Sequence, residues 1–241
     1  MAATTIPTPR PTALSRLVGI AYFGIVFTGI FAEFVVRGQL IVAGDAAATA
    51  SNIAGSPGLF ATGIGADMVM IALDVIVGLG LYRLLAPHDR RLARVATGAR
   101  LIQAGILAVN MLTLAPALGL AQDGVSTGSS ASAARALQAV EAHALGYDIG
   151  LIAFGVSCLA LAKLLADHHL VPTWLAVGMA ATGAVYLLGS FAALFAPSLN
   201  TAIDPLYLIA MVVEPAFAAR LFSRGIPTPS VTAVRPVAVA A

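Results

Sequence analysis

Apolar residues run along this chain in long blocks, separated by short clusters of proline, glycine and charge. Blocks over residues 14–36, 57–85, 92–117, 139–165, 172–196 and 203–222 reach the roughly 20 residues that an α-helix needs to cross a hydrocarbon core ~30 Å thick. The pattern predicts an all-α polytopic bundle of about six transmembrane helices. Punctuation supports the boundaries. Ser56-Pro57 offers a cap and a proline at the first helical position, and Asp204-Pro205 repeats that start before the sixth block. Pro87 and Pro172 mark short connections on one side, and Pro215 inside the sixth block predicts a kink.

The connections on the other side are longer. Residues 37–56 predict a short alanine-rich helix from about Asp45. Residues 118–138, with Gly124 and the run Ser126–Ser132, read as a flexible polar segment. Residues 1–13 read as a disordered leader, 14–222 as one transmembrane domain and 223–241 as a disordered tail. A cleaved signal peptide fits poorly, because a cut after Ala32 places bulky Ile30 where a small residue is wanted. No internal repeat of the kind that marks many transporters emerges.

Composition agrees with a membrane protein. The chain has 241 residues, 59% hydrophobic and 10% charged, against about 25% charged in soluble domains. Its net charge of +2 argues against a nucleic-acid partner. The basic residues sort by topology instead. Arg10, Arg16, Arg83, Arg90, Arg91, Arg94, Lys163, Arg220, Arg224 and Arg235 fall on one side, and only Arg37 and Arg135 on the other. That asymmetry predicts a multi-pass protein of the cell inner or plasma membrane with both termini cytoplasmic.

Charges inside the apolar blocks are the main functional signal, since each costs roughly 2.5–3.5 kcal/mol to insert unless it meets a partner or a cavity. Arg100, Gln103 and Asn110 share one stripe of the third block, and Asp67 and Asp74 share one on the second. At about 1.5 Å per residue, Asp74 lies roughly 16 Å and Arg100 roughly 12 Å from the basic ends of their helices. A short loop makes these two helices neighbours, so an Asp74–Arg100 pair is expected, with Gln103 and Glu214 completing an inner polar cluster. Such a pair is first a latch between helices and second a gated solute or proton pathway.

An outer cluster is expected from Glu33, Asp67, Asn110, His143, Tyr147 and Asp148, with Asp148 directed toward Glu141. A histidine beside a carboxylate suits acid–base or relay chemistry, although one at a helix start is more often a hydrogen-bonded interfacial residue. No metal or other cofactor is expected. His143 stands alone among the non-loop histidines, and Cys158, the sole cysteine, reads as core. Hydrolase, phosphate-loop and redox-pair motifs are missing. Gly146 and Gly150 predict close helix packing. Tyr22, Phe23, Phe27, Tyr186, Phe191 and Phe195 read as filler, and Trp174 as an interfacial anchor.

Several segments together resemble a bacterial membrane-protein family catalogued as domain of unknown function 4386. They are Arg16–Tyr22, Ala32–Arg37, Gly44–Ala48, Ala66–Met68, Leu73–Val75, Leu81-Tyr82, Arg100–Gln103, Asn110 and His143–Gly150, covering most of residues 14–222. The resemblance implies a multi-helix integral membrane protein and assigns no catalytic residue. Three functions stay open. The first is a non-enzymatic membrane component with a membrane-protein partner. The second is a small-solute or proton-coupled transporter using Asp74, Arg100 and Glu214. The third is an intramembrane enzyme acting on a lipid-like substrate through His143, Tyr147 and Asp67. Expected contacts are the lipid bilayer and a small solute or lipid in an outward-facing pocket.

Overall fold

The computed structural model describes residues 11–227. Most of the expected leader and tail therefore lies outside the described residues. The first span, α1 (Ala13–Ile30), starts where the Ser15 amide donates to the Thr12 hydroxyl at 3.1 Å. It continues without a break into a π-helical segment, Phe31–Arg37, and a short turn, Gly38–Leu40. Asp45 caps α2 (Ala46–Gly55), accepting from the Ala48 amide at 2.9 Å, as its position predicts. Then come α3 (Pro57–Leu85) and α4 (Arg90–Leu114). Pro57 occupies the first turn of α3, but the Ser56 side chain makes no capping bond. Asp89 caps α4, and the Leu92 and Arg91 amides hold its carboxyl below the usual carboxylate range.

The expected flexible stretch at 118–138 is instead helical. It forms α5 (Ala117–Thr127), a tight turn through Gly128 at φ 70°, and the first turns of α6 (Ser130–Asp167). The reason lies in its alanines. Ala117, Ala121, Ala133 and Ala136 recur at helical spacing and are buried, while the polar residues between them face outward. A Cβ on Gly124 would stand 3.0 Å from the Ala133 amide nitrogen, so glycine permits the close crossing of α5 and α6. The last spans are α7 (Thr173–Phe195) and α8 (Tyr207–Ser223). A 3-10 turn, Asp204–Leu206, replaces the expected proline-capped start, and α8 runs through Pro215 as one helix.

Among the described residues six helical stretches are long and apolar enough to span a membrane. They close a ring in which α1, α3, α4, α6, α7 and α8 each pack on the next and α8 returns to α1. Short loops on the arginine-rich side and the alternating direction of an up-and-down bundle produce this order. The ring interior is filled by Val18, Tyr22, Met70, Leu107, Phe154, Met179 and Phe217 among others. The outer ring surface is apolar: Leu112 is 71% and Phe195 77% exposed. An apolar belt of this extent calls for lipid rather than water.

At 38 residues α6 is roughly 57 Å long, well beyond the ~30 Å of hydrocarbon. Its leading turns project past the ring and pack with α2 and α5 into a cap. A second core of Val36, Leu40, Ile53, Phe60, Leu114 and Val140 joins that cap to the ring.

Candidate functional site

Two polar layers cross the ring interior, one at the cap end and one nearer the arginine-rich side. The cap-side layer begins with the π-helical turn, in which Arg37 Nε lies 2.7 Å from Glu33 Oε2. The same guanidinium reaches across to α3. Its Nη1 donates to Asp67 Oδ2 at 2.7 Å and its Nη2 to Asp67 Oδ1 at 3.3 Å. This two-pronged pairing is the strong form of an arginine–carboxylate contact. Gly63, one turn before Asp67, allows the approach, since a Cβ there would meet Val36 Cγ1 at 2.7 Å. The apolar pattern places Arg37 in a connection, whereas it ends the π-helical segment. The available signal was the Glu33–Arg37 spacing of four at the end of an apolar helix.

His143 stands behind Asp67, with Nε2 3.9 Å from Asp67 Oδ2. Asn110 Nδ2 donates to the His143 carbonyl at 2.8 Å and sits 3.2 Å from His143 Nδ1. His143 Nδ1 also lies 3.5 Å from the Asn110 carbonyl oxygen, so Asn110 can serve either tautomer, and Nε2 faces Asp67. Gly146 is necessary here, because its Cβ would fall 2.0 Å from Asn110 Oδ1. Gly150 seats Leu107 in the same way, so the predicted small-residue pair does pack α6 tightly on α4. Tyr147 shares the His143 face, and its hydroxyl donates to Met70 Sδ at 3.7 Å, a weak acceptor.

Glu33 is 60% exposed at the mouth of this layer. Asp148 is half-buried at its edge and makes no hydrogen bond to another described residue. Glu141, seven residues earlier on the same helix, is exposed. Asp148 lies off the α6 face that carries His143, and the long α6 keeps Glu141 about two turns nearer the cap.

The second layer is more enclosed. Arg100 Nη2 and Asp74 Oδ1 lie 2.6 Å apart, each side chain 2% exposed. The contact is off the hydrogen-bond line, so it is an ion pair rather than an aligned bond. Gln103 Nε2 donates to Asp74 Oδ2 at 3.2 Å. The guanidinium carbon sits 4.8 Å from the centroids of both Tyr22 and Phe154, so two aromatic faces sandwich the cation. Phe154 meets Tyr186 at 5.2 Å, and the Tyr186 hydroxyl donates to Glu214. Glu214 thus joins the inner group through aromatic neighbours rather than by touching Arg100. Tyr22 and Tyr186, read from the sequence as filler, are parts of the charge environment. No pattern in a single apolar helix reveals that, because the partners lie on other spans.

Between the layers Met70 and Leu107 are buried, and the Tyr147 hydroxyl reaches Met70 Sδ at the same level. Among the described residues no hydrogen bond joins the inner group directly to the outer one. Among the described residues no cluster of three or more His, Cys, Asp or Glu side chains is arranged to hold a metal.

No curated protein and no solved structure matches the chain. A family model described as Domain of unknown function (DUF4386) matches residues 17–225, a span that takes in both polar layers and all six membrane helices. The protein thus belongs to the DUF4386 family of integral membrane proteins.

Proposed function

We propose that this protein is a non-enzymatic integral membrane component that acts through a membrane-protein partner, with its arginine-rich side facing the cytoplasm. One observation carries the reading: Arg37 and Arg100 are each held by partners within their own layer. Arg37 is taken up by two carboxylates, and Arg100 by Asp74 and two rings. Met70 and Leu107, both buried, lie between the layers. This is the arrangement of latches that hold helices in register, where removing one partner leaves the other charge stranded.

A second reading, a proton-coupled or small-solute transporter, draws on the Asp67 and Asp74 carboxylates stacked at two depths of α3. Enzyme chemistry at His143 has less support, because Arg37 occupies the Asp67 carboxylate that would orient the imidazole.

Proteoliposomes loaded with a pH-sensitive dye test the choice. Wild-type vesicles should leak protons at the rate of protein-free vesicles under an imposed gradient, and Asp74→Asn should lower the unfolding temperature by several degrees in detergent. Proton flux in the wild type that disappears in a stably folded Asp74→Asn protein would replace this reading with the transporter.

A further inference from the structure

A narrow cavity of about 10 Å³ reaches Arg100 from the arginine-rich side of the ring. Its wall combines apolar Leu81, Leu85 and Ala93 with Thr97, Ser157 and the Arg100 side chain itself. Roughly 10–15 Å³ of room for a water centre holds one molecule when two to four polar groups line it. We infer that this cavity is a single-water site, built between Arg100 and the Thr97 and Ser157 hydroxyls, which gives the buried Asp74–Arg100 pair a proton connection to the arginine-rich side.

The hydrogen-bond inventory supports the assignment. Arg100 Nε is buried and has no acceptor among the described residues. Gly78 lines the same cavity, and a Cβ there would lie 3.6 Å from Arg100 Cδ, so the stem that carries Nε runs along this wall. The two hydroxyls complete the set. Thr97 Oγ1 donates to the Gly78 carbonyl at 3.2 Å and Ser157 Oγ to the Ala96 carbonyl at 2.7 Å. With their hydrogens committed, these oxygens offer only lone pairs. A water accepting from Arg100 Nε and donating to both hydroxyls meets every requirement. An anion does not, because it would face those lone pairs.

The direction of access follows from the wall. Leu85 closes α3 and Ala93 opens α4, both at the arginine-rich ends of their helices. On the opposite side buried Met70 and Leu107, with the Tyr147 hydroxyl on Met70 Sδ, lie between Arg100 and Asp67. The inference is independent of the latch reading: a latch with a bound water beside it remains a latch.

Hydrogen–deuterium exchange at Arg100 Nε, followed by nitrogen-15 NMR of the whole protein in detergent micelles with D2O as the probe, tests the site. Wild-type Nε–H should exchange well before global unfolding. Gly78→Ala puts a methyl into the cavity at ordinary contact distance, so the protein should fold and its Arg100 exchange should slow at least tenfold. Thr97→Val keeps the shape but removes an acceptor, and should slow exchange severalfold. Gly65→Ala, whose methyl meets nothing within 4 Å, should leave the rate unchanged. The inference is overturned if the wild-type proton exchanges only on global unfolding. It is equally overturned if Gly78→Ala and Thr97→Val, both folded by thermal melt, exchange like the wild type.

Discussion

Arg100 does what lysine could not do in its place. Its planar cation lies between Tyr22 and Phe154 while touching Asp74, so charge, shape and stacking are used together. Replacing it by alanine strands the Asp74 carboxylate in a dry interior, and a loss of about 3–5 kcal/mol is expected. Arg100→Lys keeps the charge but gives up the flat stacked group, so an intermediate loss of about 2 kcal/mol is expected. Thermal unfolding in detergent ranks the two. If Arg100→Lys is as damaging as alanine, the charge is not what the site holds. The Asp74–Arg100 contact was legible in the sequence because depth along two adjacent helices is simple arithmetic. The aromatic sandwich was not, since Tyr22 and Phe154 come from spans whose rotation about their own axes is decided by packing.

Helix crossings in this bundle depend on where a side chain is missing. The ring closes between α1 and α8 at Gly19, where a Cβ would stand 2.8 Å from the Phe222 nitrogen and 2.9 Å from the Ala218 carbonyl oxygen. Both are backbone atoms, so neither moves without shifting α8. Gly19→Ala is expected to destabilise by about 1–3 kcal/mol through this overpacking. Gly65→Ala, which meets nothing, should be neutral or stabilising by up to about 1 kcal/mol from helix propensity. Melting temperatures of the two variants measured side by side check the contrast. Gly146 and Gly150 announced themselves by their spacing of four on one face. Gly19 carries no such mark, because its neighbour is a helix two hundred residues away. The cap helices show the complementary failure: alanine is too weakly hydrophobic to raise a hydropathy signal, yet α5 and the start of α6 pack on it.

At the largest scale, the arginine-rich side is where the first and last described segments are tied to the ring. Ser15 Oγ donates to the Leu221 carbonyl at 2.8 Å, and His88 Nε2 lies 2.8 Å from the Pro227 carbonyl oxygen. Partial burial pushes the His88 imidazole below its ordinary value of 6.5, His168 nearby adds to this, and the Pro227 contact opposes it. The folded protein therefore releases this proton more readily than the unfolded chain. Between the lowered value and 6.5 the unfolded state binds more protons, so stability declines as pH falls through that window. The effect is small because the ring stays partly exposed. His88 should titrate below 6.5 by NMR, and His88→Gln should flatten the slope of melting temperature against pH just below 6.5. A His88 midpoint above 6.5 would show that the Pro227 contact outweighs burial.

From its own pattern the chain declares six membrane spans and sets Asp74 opposite Arg100. Hydropathy, helical rise and loop length are local quantities, so one chain contains them. That Arg37 rather than His143 is the close partner of Asp67, and that Glu214 answers to Tyr186, emerges once the helices are packed together. The placement of Met70 and Leu107 between the two polar layers belongs to the same class. Those outcomes depend on how each helix is rotated and how closely it approaches its neighbours. Glycines facing distant backbones set that approach, and no single apolar helix encodes it.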